Sequence, residues 1–423
     1  MAVQNVLARL RRLPLDRIDL PISQRVDQLC DEIGHQWRDR LLTPLVTIRL
    51  FILQIVHGNT AIVHLPRLAG FWFSSGSYTE ARTRLPLELL RSLLRDMHTW
   101  AADRVDEGLP PLLGQRVLSV DGSSGSMPDT PELCQRFGLP SGQKPGVGYP
   151  MARIMGLLQA ATGMFLELLA LPLFTHDMRG AIALHPMLRA GDILLGDRAF
   201  CSVAHFCLLS ARGVFGCFRL HQRRKDTRPG LQQWKKPPVA PKWMTTAQFA
   251  MLPASITIRL VRYTVQEKGF RTREVFIATT LLDSQRWSDQ YIANLYGQRW
   301  PIETCFNHIK TTLNMDVLKC KTVEGVLKEL TVYLIVYNLV RLMMLKAAQL
   351  QNVAIDRISF IDAVRALAAH LNGLSSESKL VINPKRPGRH QPRVVRRRKK
   401  EYDLMTRPRA EYRRKTAENT CEA

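Results

Sequence analysis

The first hundred residues place apolar side chains at the three- and four-residue spacing of amphipathic helices. A Gly-Asn-Thr segment at residues 58–60 interrupts this spacing, and further apolar stretches follow it. We therefore predict an all-α N-terminal domain over residues 1–110, with helices at Leu41–Val56, Ala61–Leu68, Tyr78–Leu85 and Leu87–Met97.

From Val117 onward the pattern changes to short apolar runs rich in β-branched residues, which are typical of strands. The predicted strands are Val117–Val120, Ala152–Ala160, Phe165–Leu173, Asp192–Gly196 and Val214–Leu220. Predicted helices at Ala181–Arg189 and Ser202–Leu209 separate the later strands. The order β-β-β-α-β-α-β predicts an α/β core, whose first part we assign to residues 111–220.

A long segment separates this core from the next helical pattern. The 106 residues from Asp197 to Glu303 exceed what one strand and one helix need. Within them Ser255–Tyr263 and Arg273–Leu281 alternate like two strands, joined at a Lys-Gly turn. We predict an inserted β-rich subdomain at 221–285, with the second part of the core at 286–375. The apolar stretch Leu330–Leu345 reads as a buried helix, because it is shorter than the ~20 residues that span a bilayer.

Three acidic residues stand at positions that suit a shared site. Asp121 and Asp197 each follow an apolar strand, and Glu303 follows Pro301 in the first turn of a predicted helix. Each aspartate alone is explained equally well as a turn residue or an N-cap, and the alternative for Glu303 is a solvated or paired surface acid. Together they would repel one another unless a cation lay between them, and carboxylate oxygens favour Mg²⁺ or Mn²⁺. The set therefore predicts a site for two ions, about 3.5–4 Å apart, that promotes phosphoryl transfer.

The residues around Glu303 form a recognisable signature. Tyr296, Arg299, Glu303 and Lys310 match the pattern Y-x2-R-x3-E-x6-K at every spacing. With Asp121 and Asp197 in the same order, the chain resembles the DDE transposases of bacterial insertion sequences, in the insertion-sequence-four family. Similarity extends over about residues 117–345, with a weaker match at 78–86. The resemblance implies an RNase H-like catalytic core and cut-and-paste transposition, through cleavage at element ends and strand transfer.

The resemblance also implies roles for residues outside the acids. Family members with a β insert cleave through a DNA hairpin, and an aromatic residue of the insert receives a flipped base. Trp234, Trp243 and Trp287 are the candidates here, and we favour Trp243. Arg299 and Lys310 are predicted phosphate clamps, with Tyr296 adding a hydroxyl. The alternative, which helical spacing permits, is that these three residues pair structurally with Glu303.

Charge agrees with a nucleic-acid partner. The 423 residues carry a formal charge of +24, with a pI near 10.2, which attracts polyanions. The segment His221–Lys242 is predicted to be a mobile basic loop on DNA, in which Arg223, Arg224 and Lys225 contact phosphates. In the C-terminal tail, 376–423, the stretch 385–415 holds fourteen Lys or Arg against three acids, a net +11. Its role is open between non-specific DNA binding and a partner contact.

We predict a cytoplasmic bacterial protein without a membrane segment, which binds the terminal inverted repeats and target DNA as a homodimer. Its eight cysteines show neither zinc-finger spacing nor a secreted disulfide pattern, and no signal peptide is evident. The N-terminal helices suit DNA binding, with Arg67, Arg82, Arg84 and Arg91 as phosphate contacts, or else a support or dimerisation role. Two other functions stay open: a stand-alone RNase H-like nuclease and a catalytically inactive DNA-binding protein.

Overall fold

A computed structural model describes residues 22–105, 114–141, 148–264, 274–371 and 379–383, together with Glu411 and Arg414. The predicted turn at Lys268-Gly269 and nearly all of the basic C-terminal tail lie outside these residues. The seven described cysteines are free thiols, and six of them are buried.

The described part of the N-terminal region, residues 22–105, is helical, as predicted. Its α-helices are α1 (Ile22–Glu32), α2 (Pro44–Val56), α3 (Leu65–Ala69), α4 (Ser75–Arg84) and α5 (Leu87–Val105). Thr43 caps α2 and Ser74 caps α4 by accepting a backbone N–H through the side-chain hydroxyl. Helix α2 is buried along its whole length, which explains why its apolar pattern is nearly continuous.

One eight-stranded sheet forms the centre of the protein. Its strands are β1 (Val117–Ser126), β2 (Met151–Gln159), β3 (Met164–Pro172), β4 (Ile193–Gly196), β5 (Phe215–Arg219), β6 (Gly230–Lys235), β7 (Ser255–Thr264) and β8 (Glu274–Thr279). The spatial order is β3-β2-β1-β4-β5-β8-β7-β6. The pairs β1·β4 and β4·β5 are parallel, and all other pairs are antiparallel. The α/β prediction is therefore confirmed.

The segment predicted as an inserted subdomain continues this sheet. Strand β8 pairs with β5, with Phe218 opposite Ala278, and β7 and β6 follow outward. A short helix, α9 (Thr246–Ala250), connects β6 to β7. The prediction of a loop over His221–Lys242 is wrong in its middle, because Gly230–Lys235 is strand β6, which is held by Ser255–Leu260 of β7.

Helices cover the sheet on both faces. Short helices α6 (Pro131–Phe137), α7 (Asp177–Ala183) and α8 (Val203–Ser210) lie between strands. After the sheet come α10 (Asp289–Gly297), α11 (Pro301–Asn307), α12 (Val323–Leu350) and α13 (Phe360–Leu371). A π-helical turn, His308–Thr312, extends α11.

Helix α12 is the central core helix. One hydrophobic cluster joins it to α2 and α5 of the N-terminal region and to β2 and β3 of the sheet. At 28 residues it is longer than the predicted Leu330–Leu345, and it is apolar enough to cross a membrane, but 83% of its apolar window is buried inside the protein. Burial of this kind is what a core helix requires.

Candidate active site

Asp121 and Asp197 lie on neighbouring parallel strands. The register of β1 and β4 pairs Leu118 with Leu194 and Ser119 with Leu195, so that two residues further on Asp121 comes level with Asp197. The prediction that Asp121 sits at a strand tip is wrong, because β1 continues to Ser126. Antiparallel pairing with β2 holds the small residues after Asp121 in the sheet, whereas β4 ends just before Asp197.

The backbone after Asp197 forms a tight turn, and hydrogen bonds from two side chains hold it in place. Asp197 Oδ1 accepts the Ala199 N–H at 2.8 Å, so this acid also caps the short 3₁₀ turn Arg198–Phe200. A buried hydrogen bond of 2.8 Å joins His205 Nδ1 to the Phe200 carbonyl. These contacts fix where the strand delivers the Asp197 carboxylate.

A glycine lets the Glu303 helix approach Asp121. Gly156 of β2 stands opposite Asp121, and a Cβ atom at Gly156 would lie 2.7 Å from Phe306 Cζ. Real Cβ atoms do not come so close, so helix α11 packs on the sheet here because position 156 has no side chain. Phe306 is one turn beyond Glu303, which brings that acid towards Asp121 in the middle of β1.

The pKa of Asp121 responds to both of the other two acids. Burial, with smaller contributions from the nearby Asp197 and Glu303, raises the pKa of Asp121 to about 6, against lowering by the Gly122 N–H and by Arg299. Its Oδ1 accepts the Gly122 N–H at 2.7 Å. The structure therefore brings the three predicted acids into one electrostatically coupled group.

Glu303 is paired with Arg299 of the signature. Arg299 Nη2 donates to Glu303 Oε1 at 2.9 Å, one helical turn apart. The Arg299 residue is only 8% exposed, and its Nε is buried without a hydrogen-bond partner. The structural pairing considered from the sequence therefore exists for Arg299, and its buried Nε–H has no acceptor among the described residues.

Tyr296 and Lys310 stand differently. Tyr296 packs with the cluster beneath β4, β5 and β8, and burial raises the pKa of its hydroxyl to about 12. Lys310, in the π-helical turn, makes its ion pair with Asp316 at 2.9 Å. Neither side chain pairs with Glu303 through a hydrogen bond or salt bridge in the described part of the chain.

The donor set fits hard divalent cations. Three carboxylates share one negative field, and burial within that field keeps a proton on Asp121 until about pH 6, which is the environment that a divalent cation would neutralise. Among the described residues, however, no three His, Cys, Asp or Glu side chains are gathered tightly enough to form a ready metal cluster. Glu303 would have to leave Arg299 to become a ligand.

Comparison with known proteins decides the family. Residues 113–339, more than half of the chain, match the transposase DDE domain. The chain belongs to the DDE transposase family. It is 26% identical over 319 residues to the transposase InsG for insertion sequence element IS4 of Escherichia coli strain K12, which covers 69% of this chain and 70% of that protein.

A solved structure with weaker likeness is a piggyBac transposase synaptic complex with hairpin DNA, at a TM-score of 0.43. It is 12% identical, over 87% of this chain and 80% of that one.

The basic segment after β5 divides into exposed and packed residues in this transposase. Arg223 and Lys225 are exposed, as predicted for phosphate contacts. Arg224 is half-buried, with its guanidinium carbon 3.4 Å from the centre of the Trp234 ring. This stacking uses the Arg224 side chain in packing, and its burial lowers the pKa of Arg224.

Of the three candidate tryptophans, two are core residues. Trp234 is buried against Phe206, and its Nε1 donates to Gln232. Trp287 is buried against Phe215. Trp243 is only partly buried and lines a pocket of about 710 Å³ together with Arg223, Ala199 and Ser202. This pocket opens beside the turn that follows Asp197.

Arg153 is a residue of this pocket that the sequence did not single out. It lies on β2, donates to Asp177 Oδ1 through Nε at 2.6 Å, and has its Nη2 3.4 Å from where a Gly122 Cβ would be. Arg153 therefore adds a positive charge, paired with Asp177, to the wall of the pocket, on the sheet face opposite the Asp121 side chain. The only signal in the sequence is a charged residue inside an apolar strand.

Arg82, by contrast, is not a surface cation. It donates to Gln54 at 3.2 Å and to the Cys320 thiol, and its guanidinium covers the Phe51 ring at 4.2 Å. This residue of the upstream segment 78–86 ties α4 to the segment before α12 and is not an available phosphate contact.

Proposed function

We propose that this transposase cleaves DNA at the ends of its element and joins the freed 3′-hydroxyl to a target, by cut-and-paste. Asp121, Asp197 and Glu303 are its catalytic residues and the ligands of two Mg²⁺ or Mn²⁺ ions. The observation that carries the proposal is the level placement of Asp121 and Asp197 on neighbouring parallel strands, with Glu303 near enough to act on the buried Asp121 carboxyl.

The strand order supports an RNase H-like core. Strands β3-β2-β1-β4-β5, with the first two pairs antiparallel and the next two parallel, follow the order that such a sheet requires. In this assignment the core comprises residues 111–220 and 286–375, and β6–β8 extend it as the insertion. Residues 1–110 serve as a DNA-binding domain, and the basic tail 376–423 binds DNA or a partner.

The protein groups supply charge and position. When bound, the two ions would activate the attacking oxygen and stabilise the leaving oxygen. Arg299 holds Glu303 before the ions arrive, and its free Nε–H is suited to a phosphate oxygen. Lys310, in the π-helical turn that extends the Glu303 helix, supplies a second positive charge. The Tyr296 ring lies 5.8 Å from the Arg299 guanidinium carbon and helps to position Arg299.

The pocket of Trp243 suits a base displaced from the duplex. Its partly buried indole, with Arg153 and Arg223 nearby, offers stacking and two cations for the flanking phosphates. We propose that Trp243 receives this base during hairpin formation at the element ends. The protein acts on double-stranded terminal inverted repeats as a homodimer in the bacterial cytoplasm.

The test is cleavage of a plasmid that carries the DNA flanking this gene. We expect Mg²⁺-dependent nicks at both ends and joined products. Asp121→Asn, Asp197→Asn and Glu303→Gln should each reduce cleavage by roughly a thousandfold or more, as removal of a main electrostatic group does. The matched control is Glu274→Gln, which removes an exposed acid on β8 that pairs with Arg262 of β7.

Two other functions give different products. Cutting without joining would identify a stand-alone nuclease. Wild-type protein that is inert in both Mg²⁺ and Mn²⁺, with DNA binding that survives Asp121→Ala, would identify an inactive DNA-binding protein.

A further inference from the structure

A second pocket, of about 800 Å³, lies in the helical N-terminal region between the segment His35–Leu42 and helix α4. We propose that this α4 pocket binds unpaired nucleotides of DNA. Trp72 is the stacking platform, and Arg38, Arg40 and Arg84 contact the phosphates. The inference rests on the proposed function only in taking DNA as the substrate.

The indoles of the α4 pocket are unusually open to solvent. Trp72 is 79% exposed and Trp37 is 38% exposed, although neighbouring Phe73 is buried. Phe73 packs on Phe71 at 5.3 Å and on Tyr78 at 5.7 Å, so that the backbone bearing Trp72 is anchored from below. Two exposed indoles that line the same pocket form a contiguous apolar surface, and such surfaces mark binding sites.

The rim of the α4 pocket is positively charged. Three arginines line it against a single acid, Glu80. Arg84 lies 3.5 Å from Glu80, but both side chains are more than half exposed, so this pair is weak and leaves the guanidinium available. The hydroxyls of Ser74 and Ser77 add polar groups at the start of α4.

This combination selects unpaired nucleotides over a duplex or a protein. In a duplex the base faces already stack on each other, so an indole finds no face to cover. Arginines alone would serve a duplex equally well, but exposed aromatic rings among cations are what single strands need. The pocket shares no lining residue with the three acids, so this binding does not depend on metal ions.

The experiment measures affinity by fluorescence anisotropy in EDTA, with a labelled twelve-nucleotide oligothymidylate and with a twelve-base-pair duplex. Trp72→Ala should weaken binding of the single strand about 5- to 100-fold and binding of the duplex less than about twofold. Trp72→Phe should stay within about threefold of wild type, because it keeps a ring. Leu350→Ala, at a similarly exposed apolar residue, should change neither affinity.

Salt dependence tests the arginines. The double change Arg38→Ala and Arg40→Ala should reduce the slope of log K against log salt for the single strand by about 1.4, which is about 0.7 for each phosphate that is no longer neutralised. Unchanged affinity in Trp72→Ala, or equal reductions for both DNAs, overturns the proposal. Indole emission that is already blue-shifted and insensitive to the oligonucleotide also overturns it, because the ring would then be covered by protein.

The outcome is separable from that of the catalytic proposal. Metal-dependent cleavage by wild type without any effect of Trp72→Ala on binding rejects the α4 pocket alone. Binding that depends on Trp72 in a protein that never cleaves DNA rejects the catalytic proposal alone.

Discussion

Phe306 of helix α11 packs onto the backbone of Gly156 in strand β2, so closely that a Cβ atom at 156 would lie 2.7 Å from the Phe306 Cζ. Gly156→Ala should therefore push α11 and Glu303 away from Asp121. We expect metal-dependent DNA cleavage to fall about tenfold to a hundredfold, as for a displacement near 1 Å. Gly297→Ala, where no atom lies within 4 Å, is the control, and adding Phe306→Leu should restore part of the cleavage rate.

Arg299→Ala should have opposite effects on metal binding and on cleavage. Without its guanidinium, Glu303 is free to act as a ligand, so Mn²⁺ affinity measured by calorimetry without DNA should rise a few-fold. Cleavage should fall by tenfold or more, because the proposed contact of the guanidinium with a phosphate is lost. If Arg299 only orders the helix, then Arg299→Lys will cleave like wild type and Arg299→Ala will simply lower the Tm.

Asp121→Asn should stabilise the metal-free protein in a pH-dependent way. The pKa of Asp121 rises from 3.8 to about 6 on folding, so its contribution favours the folded state below about pH 4 and disappears as the pH rises through 6. Thermal melts in EDTA should give a Tm about 1–4 °C above wild type at pH 7.5, with the difference vanishing near pH 4. A constant difference at all pH values would contradict the burial of this carboxylate.

Neighbouring arginines of the basic segment should behave differently. Arg223 is exposed and Arg224 covers the Trp234 ring. Arg223→Ala should weaken DNA binding at low salt and leave the Tm unchanged, whereas Arg224→Ala should lower the free energy of unfolding by about 1 kcal/mol. Paired urea melts and filter-binding assays separate the two, and equal effects from both substitutions would refute the division.

Trp243→Ala should impair a step that displaces a base. With 2-aminopurine placed near the element end, this variant should not quench the fluorescence on binding, because no indole remains to stack on the base. Trp287→Phe, a change at a buried ring, should quench like wild type. Quenching that persists in Trp243→Ala would assign the displaced base to another side chain.

Local pattern is sufficient for most elements. The sequence predicts strands β2, β3, β5 and β7 and helices α2 and α8 to within three residues, because each carries its own periodicity. The second half of β1 escapes prediction, because its Gly and Ser residues have little strand preference and are held by pairing with β2. Pairing of β8 with β5 joins residues some sixty positions apart and leaves no local signal.

Two polar residues inside the predicted helix Leu330–Leu345 depend on partners that the sequence does not show. Asn338 and Arg341 interrupt its apolar pattern, yet Asn338 bonds both backbone groups of Phe165, at 3.1 and 3.0 Å. Arg341 donates to the Thr162 carbonyl. Both polar residues are satisfied by strand β3 or the turn before it, so they belong in a buried helix, and only tertiary structure reveals those partners.

Some residues of the candidate site can be selected from the sequence, and others cannot. Acids that follow apolar strands can be selected from the sequence, because residue type and position are local. The pairing of Arg299 with Glu303 is one of two alternatives that helical spacing allows. Arg153 could not be found, because its importance comes from the register that sets it beside Gly122.

Helix α12 shares one apolar cluster with the N-terminal helices and with β2 and β3, so the N-terminal helices cannot be replaced as an independent domain. A recombinant fragment that begins near residue 114 would expose the apolar surface of α12 that packs on α2 and α5, and it would aggregate. Redirecting such an enzyme to new element ends would therefore require changes to side chains on the existing helices. An N-terminal domain taken from another protein would not match the core residues of α12, β2 and β3.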